Sequence, residues 1–147
     1  MKLSTKGRYG VRLMFDLAAH YGEGPVLLRQ IAEREEISEK YLWHLINPLK
    51  TGGMVQSTRG AHGGYVLAKA PSEITVKDIL QIVEGPICIV DCIEKPSTCH
   101  RSGFCVTRDL WSEASKTLAD KLNETTLADL VERKKIKQQK QGASYEI

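Results

Sequence analysis

At 147 residues the chain is long enough for one domain with an appended element, and it can build a core without disulfides. Its composition is ordinary for a soluble protein, no apolar run approaches the roughly 18–20 residues of a membrane span, and the start, "MKLSTKGRYG", lacks the apolar stretch of a signal peptide. A membrane or secreted role is therefore not expected, and the cytoplasm is; the net charge of +3 is that of an ordinary solvated surface, with only a slight lean toward an anionic partner.

The first segment, "STKGRYGVRLMFDLAAHY", reads as a helix capped by Ser4 or Thr5, with Tyr9, Leu13, Leu17 and Tyr21 at helical spacing. Gly10 inside it costs roughly 1 kcal/mol against Ala, and "GEGP" at 22–25 ends it. Leu28, Ile31 and Ala32 then mark a short amphipathic helix. Ser38 is a good N-cap for another, whose Leu42, Leu45, Ile46 and Leu49 make one apolar stripe. Two helices so close in sequence form a helix-turn-helix pattern. Pro48 should kink or weaken the last turn of the second.

Alternation takes over in "GGMVQSTRGAHGGYVLAK". Residues 54–58 and 65–68 are predicted strands joined by the Gly-rich loop "RGAHGG", a hairpin in the position of a wing. Thr75 caps a further helix, with Asp78 as its capping-box partner and Val76, Ile79, Leu80 and Val83 as its apolar face. "EGP" at 84–86 breaks it. A long helix resumes near Val106, with Leu110, Trp111, Ala114, Leu118 and Leu122 on one side. Thr126 caps a last, short helix containing Leu127, Leu130 and Val131, and the polar remainder, "RKKIKQQKQGASYEI", reads as a frayed tail.

A helix-turn-helix lays its second helix in the major groove. Ser38, Glu39, Lys40, Trp43, His44 and Asn47 lie off the apolar stripe of that helix and are the candidates for bases and phosphates. Arg59 stands at the tip of the hairpin beside Gly60, Ala61, Gly63 and Gly64. So narrow a tip can carry a guanidinium into the minor groove, where the negative potential favours it.

The cysteines are gathered in one stretch. Cys92, Cys99 and Cys105 are spaced C-x(6)-C-x(5)-C, with Cys88 just upstream. Clustered cysteines in a reducing compartment point to metal or redox chemistry more than to disulfides. Cys88 and Cys92 form the one close pair, C-x(3)-C, which keeps a zinc site of Cys88, Cys92, Cys99 and Cys105 open. Wide spacing in a loop equally suits an iron–sulfur cluster, or a set of ordinary free thiols. Cys99 and His100 are adjacent, yet nothing orients them as a catalytic pair, so an enzyme is not expected.

The stretches "MKLSTKGRYGV", "ISEKYLWHLINPLK", "GGMVQSTRGAHGGYVLAK" and "ITVKDILQIVEGP" together resemble the Rrf2 family of bacterial winged-helix repressors, over roughly residues 1–135. The "RGxxGGY" wing is the most specific part. The fold class that follows is mainly α with a small β-hairpin wing: a winged helix-turn-helix domain plus a long C-terminal dimerisation helix. The division is a DNA-binding domain at 1–84, a cysteine-rich cluster-binding loop at 85–105, the dimerisation helix and a short C-terminal helix at 106–135, and a flexible tail at 136–147.

The resemblance implies a homodimer on a pseudo-palindromic operator in double-stranded DNA, with Gly60 beside Arg59 in the wing contact. It also implies an iron–sulfur cluster on Cys92, Cys99 and Cys105, as in IscR-like members, with [2Fe–2S] favoured over [4Fe–4S]. Cys88 falls outside that motif. Such members place a His ligand three residues after the last Cys; here Arg108 stands there and cannot ligate iron. His100 is the expected fourth ligand, ahead of Asp91, Asp109, Cys88 or a residue of the other subunit. Two other departures are Glu36, in a turn where relatives commonly carry Gly or Asn, and Trp43, where IscR-like relatives carry a base-reading Glu. The expected function is a regulator that senses cluster status and controls genes of cluster assembly or of iron and cysteine supply. The alternative is a CymR-like repressor governed by a partner protein or by thiol oxidation, without a cluster.

Overall fold

The elements of the chain, in order, are α1 (Thr5–Ala19), α2 (Leu28–Glu35), α3 (Glu39–Thr51), β1 (Val55–Thr58), β2 (Gly64–Leu67), α4 (Val76–Val83), α5 (Asp91–Glu94), α6 (Val106–Glu124) and α7 (Leu127–Tyr145). They are taken from a computed structural model that describes residues 1–145. Single 3-10 turns lie at Pro71–Glu73 and Pro96–Thr98. The chain is thus mainly helical with one hairpin, as its periodicity predicts.

The expected caps form. Ser4 Oγ accepts from Gly7 N at 3.0 Å, and Ser38 Oγ from Tyr41 N at 3.1 Å. Thr75 and Asp78 exchange hydrogen bonds at 3.0 and 3.1 Å, and Thr126 and Asp129 do so at 2.9 and 3.1 Å. Each reciprocal pair satisfies two helix-start N–H groups that would otherwise be orphaned.

One apolar cluster joins the elements. Leu13, Met14 and Leu17 of α1 meet Ile31 of α2, Leu42, Leu45, Ile46 and Leu49 of α3, Val55 and Leu67 of the hairpin, Ile79 and Val83 of α4, and Leu127 of α7. Gly10 now has a reason. A Cβ there would stand 3.2 Å from a Val83 methyl, so glycine lets α1 and α4 pack closely, offsetting its poor helix propensity. Tyr21 does not continue the α1 stripe. The helix stops at Ala19, Gly22 and Gly24 take positive φ, and Tyr21 is left exposed. Pro48 does not end α3, which runs on to Thr51 with Leu45, Ile46 and Leu49 buried on both sides of the proline.

Two ion pairs tie α1 to α2. Buried Asp16 accepts from Arg34 Nε and Nη2 at 2.9 and 2.8 Å, and Arg12 Nε reaches Glu35 Oε2 at 3.2 Å. Asp16 is the dominant cause of a raised Arg34 pKa. Glu36 in the turn adopts φ 55° and ψ 44°, the left-handed conformation. The hairpin is antiparallel, with Val55 opposite Leu67 and Thr58 opposite Gly64. It is pinned to the segment before α2 by Val26 N to Tyr65 O at 2.9 Å and Tyr65 N to Val26 O at 2.8 Å. A Cβ on Gly64 would come within 2.6 Å of the Val26 backbone, so only glycine permits this approach.

The C-terminal part departs from expectation. α7 is not short: its 19 residues include most of the stretch read as a tail, as far as Tyr145, while Glu146 and Ile147 lie outside the described residues. Arg, Lys and Gln are good helix formers, and they extend a helix whose start is fixed in the core by Leu127. α6, by contrast, hides little of its apolar side. Leu110, Trp111 and Leu118 are exposed, and the residue it buries fully is Ser115. No helix among the described residues is long and apolar enough to cross a membrane.

Candidate nucleic-acid interface and cysteine loop

The polar face of α3 is outward. Glu39, Lys40, Trp43, His44 and Asn47 are all exposed, while Leu42, Leu45, Ile46 and Leu49 hold the opposite face in the core. Ser38 is exposed too. Its oxygen is engaged as an N-cap acceptor, and its hydroxyl proton stays free to donate. Arg59 and Gly60 sit at the exposed hairpin tip, where Gly60 takes φ 108° and its carbonyl accepts from Gly63 N at 3.0 Å. Between α2, α3 and the wing lies an open cleft of about 440 Å³, walled by Leu27, Arg29, Glu39, Trp43 and Tyr65.

The cysteine segment is partly structured. α5 carries Cys92, the 3-10 turn precedes Cys99, and Cys105 stands as the N-cap residue of α6. Cys88, Cys92, Cys99 and Cys105 are free thiols of intermediate burial. His100 is exposed, in a turn closed by Ser102 N to Cys99 O at 3.2 Å. Ser102 Oγ also donates to the carbonyls of Pro96 and Cys99 at 2.8 and 2.9 Å.

The environments of the thiols differ. The Thr107 hydroxyl, 3.2 Å from Cys105 Sγ, pulls that thiol below its ordinary pKa, with help from the Arg108 backbone N–H and the charge of Arg101. Burial pushes Cys88 up, and the nearby Glu94 and Asp91 add to the effect. Cys88 borders a second cleft, of about 390 Å³, with Leu80, Ile87, Ile89, Leu118 and Leu122. Among the described residues no three His, Cys, Asp or Glu side chains stand close enough together to hold one metal ion. The four-cysteine zinc arrangement is therefore not assembled.

Three ties were not legible in the sequence. Arg108 donates Nε and Nη2 to the Cys92 carbonyl at 3.2 and 3.1 Å, so it clamps the loop to the first turn of α6. Ser115 Oγ accepts from Ile89 N at 2.9 Å. Glu84 accepts from Ser4 N at 3.1 Å and from the Ser4 hydroxyl. A lone Ser on the apolar side of α6 was the available signal for Ser115; the others bond to backbone groups or across long sequence separations.

The family model of Rrf2, described as an iron-dependent transcriptional regulator, matches residues 3–133. The CymR regulator of Bacillus subtilis is 44% identical over 88% of this chain and 89% of its own. The solved structure of CymR, the global cysteine regulator of B. subtilis, superposes with a TM-score of 0.77 at 42% identity, over 90% of this chain and 98% of that one. The IscR regulator of Erwinia tasmaniensis is 41% identical over 92% of this chain and 82% of its own. The structure of T. potens IscR matches with a TM-score of 0.76 at 44% identity, over 90% of this chain and 88% of that one. These relatives are regulators of transcription, not enzymes. With a winged helix-turn-helix, an outward polar face on α3 and this family match over nearly its whole length, the chain belongs to the Rrf2 family of DNA-binding transcriptional regulators.

Proposed function

We propose that this regulator binds an operator in double-stranded DNA as a homodimer, and that an iron–sulfur cluster held by Cys92, Cys99 and Cys105 sets its affinity. The observation that carries the reading is three half-buried free thiols on one segment clamped directly to α6. The donor set fits: thiolates are the ligands such clusters take. The described conformation does not bring the thiols together. Cluster binding therefore requires the 91–105 segment to rearrange, and that segment is held mainly by the short-range bonds of Ser102 and the Arg108 clamp.

When bound, the cluster supplies redox- and iron-sensitive occupancy. The chain's own residues convert occupancy into DNA affinity. Arg108 and Ser115 transmit the position of the loop to α6. The exposed Val106, Leu110 and Leu118 of α6 are the face offered to a second copy, so a shift there changes the spacing of two recognition helices. Ser38, Glu39, Lys40, Trp43, His44 and Asn47 meet the major groove, and Arg59 with Gly60 the minor groove. His100, in its turn beside Cys99, is the proposed fourth ligand, and [2Fe–2S] the proposed type. The target genes are those of cluster assembly or of iron and cysteine supply.

Anaerobic purification with visible absorption and iron and sulfide analysis tests this, followed by DNA binding with and without the chromophore. Ala at Cys92, Cys99 or Cys105 should abolish the chromophore, and Cys88→Ala should keep it. A colourless, iron-free protein would favour the second reading, a thiol-oxidation or partner-controlled repressor. The separation of the four free thiols is the observation on its side.

A further inference from the structure

One large side chain on the reading face has no role in the fold. Trp43 is 52% exposed on α3, one turn beyond Glu39 and one turn before Asn47, in an otherwise polar row. An indole is the most apolar area a side chain can offer, and a folded chain gains nothing by leaving half of it in water. Trp43 does not stand alone. With exposed Leu27 and half-buried Tyr65 it makes the apolar part of the cleft between α2, α3 and the wing. Arg29 and Glu39 are the charged members of that wall.

The cleft opens on the side by which a helix-turn-helix meets DNA. Glu39 shares the outward face of α3 with Trp43, and its carboxylate is unsuited to phosphate, so base edges are the partners this row suits. Its indole has one donor and no acceptor, so it cannot take a hydrogen from the amino groups of cytosine or adenine. Among the base edges of the major groove, the apolar group is the 5-methyl of thymine. Resting on the proposed function as a DNA-binding regulator, we infer that Trp43 is a specificity-determining residue that selects thymine by apolar contact with its methyl group.

The test is selection of bound duplexes from a randomised pool by the full-length protein and by Trp43→Ala, followed by affinities at one salt concentration. The parent should select a motif with thymine at a position that Trp43→Ala no longer specifies. Replacing that thymine by deoxyuridine removes one methyl, and should weaken the parent about fourfold, the equivalent of roughly 0.8 kcal/mol. The same replacement should leave Trp43→Ala unchanged, and Trp43→Phe should keep part of the preference. An unaltered motif with uniformly weaker binding by Trp43→Ala would make Trp43 a backbone contact and overturn the inference. So would a parent indifferent to deoxyuridine. A parent that selects no sequence at all would overturn the DNA-binding reading itself, and this inference with it.

Discussion

Glu36 is the place where the helix-turn-helix is strained. It is exposed, and its backbone lies at φ 55° and ψ 44°. An L-residue with a long side chain gives up roughly 1–2 kcal/mol in that conformation. Glycine removes the penalty but frees the unfolded chain by about 0.4–1 kcal/mol. Glu36→Gly should therefore stabilise by about 0.5–1 kcal/mol, and Glu36→Asn, which tolerates the same region, by a similar amount. With 147 residues at about 2.1 cal/mol/K each, the unfolding entropy near the midpoint is about 300 cal/mol/K. Calorimetry should thus show Tm rising by about 2–3 °C. Because the turn keeps its shape, DNA binding should be retained, with affinity at or above the parent's once a carboxylate beside α3 is removed. If both variants melt at or below the parent temperature, the turn is not left-handed in solution, or Glu36 makes a contact that offsets the strain.

The other ionic and loop contacts give sharper or weaker effects according to burial. Arg34→Ala leaves the buried carboxylate of Asp16 with only His20, 3.6 Å away, and should cost about 2–4 kcal/mol, a little below the range of about 3–5 for broken buried pairs because the guanidinium is partly wet. Arg12→Ala, which breaks a more exposed pair with Glu35, should cost under about 1 kcal/mol; urea titrations of the two variants check the contrast. Arg59→Ala should leave the fold intact, weaken operator binding, and lower the slope of log affinity against log salt by about 0.9; unchanged affinity at matched salt would put Arg59 outside the interface. His100→Ala should shorten the lifetime of the chromophore under argon more than Asp91→Ala or Asp109→Ala does, and a lifetime equal to the parent's would move the fourth ligand elsewhere.

Helices α1 to α4 and the wing were legible because their signals are local. Caps such as Ser4, Ser38 and Thr75 sit directly before apolar repeats, and the glycine run of the wing marks a turn whatever surrounds it. The extension of α7 was hidden because its Lys and Gln residues carry helix propensity without an apolar period. Period alone is ambiguous on α6. Leu110 and Leu118 lie on a regular stripe, yet the chain does not cover them, and a single sequence does not say whether a stripe faces its own core or another molecule. The role of Arg108 was out of reach for a different reason. Its partner is the carbonyl of Cys92, a group every residue has.

The same ties decide what the cysteine spacing can mean. A ligand set read from sequence requires only that the thiols share a loop; a sensor requires in addition that the loop push on something. Here the segment is fastened to α6 at two points: to its middle through Ile89 and Ser115, and to its start through Cys92 and Arg108. The two α6 ties lie seven positions apart on one helix, so a rearrangement of residues 91–105 that keeps the Ser115 bond must load the Arg108 clamp. Arg108 holds the backbone of the loop through the Cys92 carbonyl. On the proposed function, the coupling would act through position 108 whether the thiols meet iron or an oxidant, because both would act on the same clamped segment.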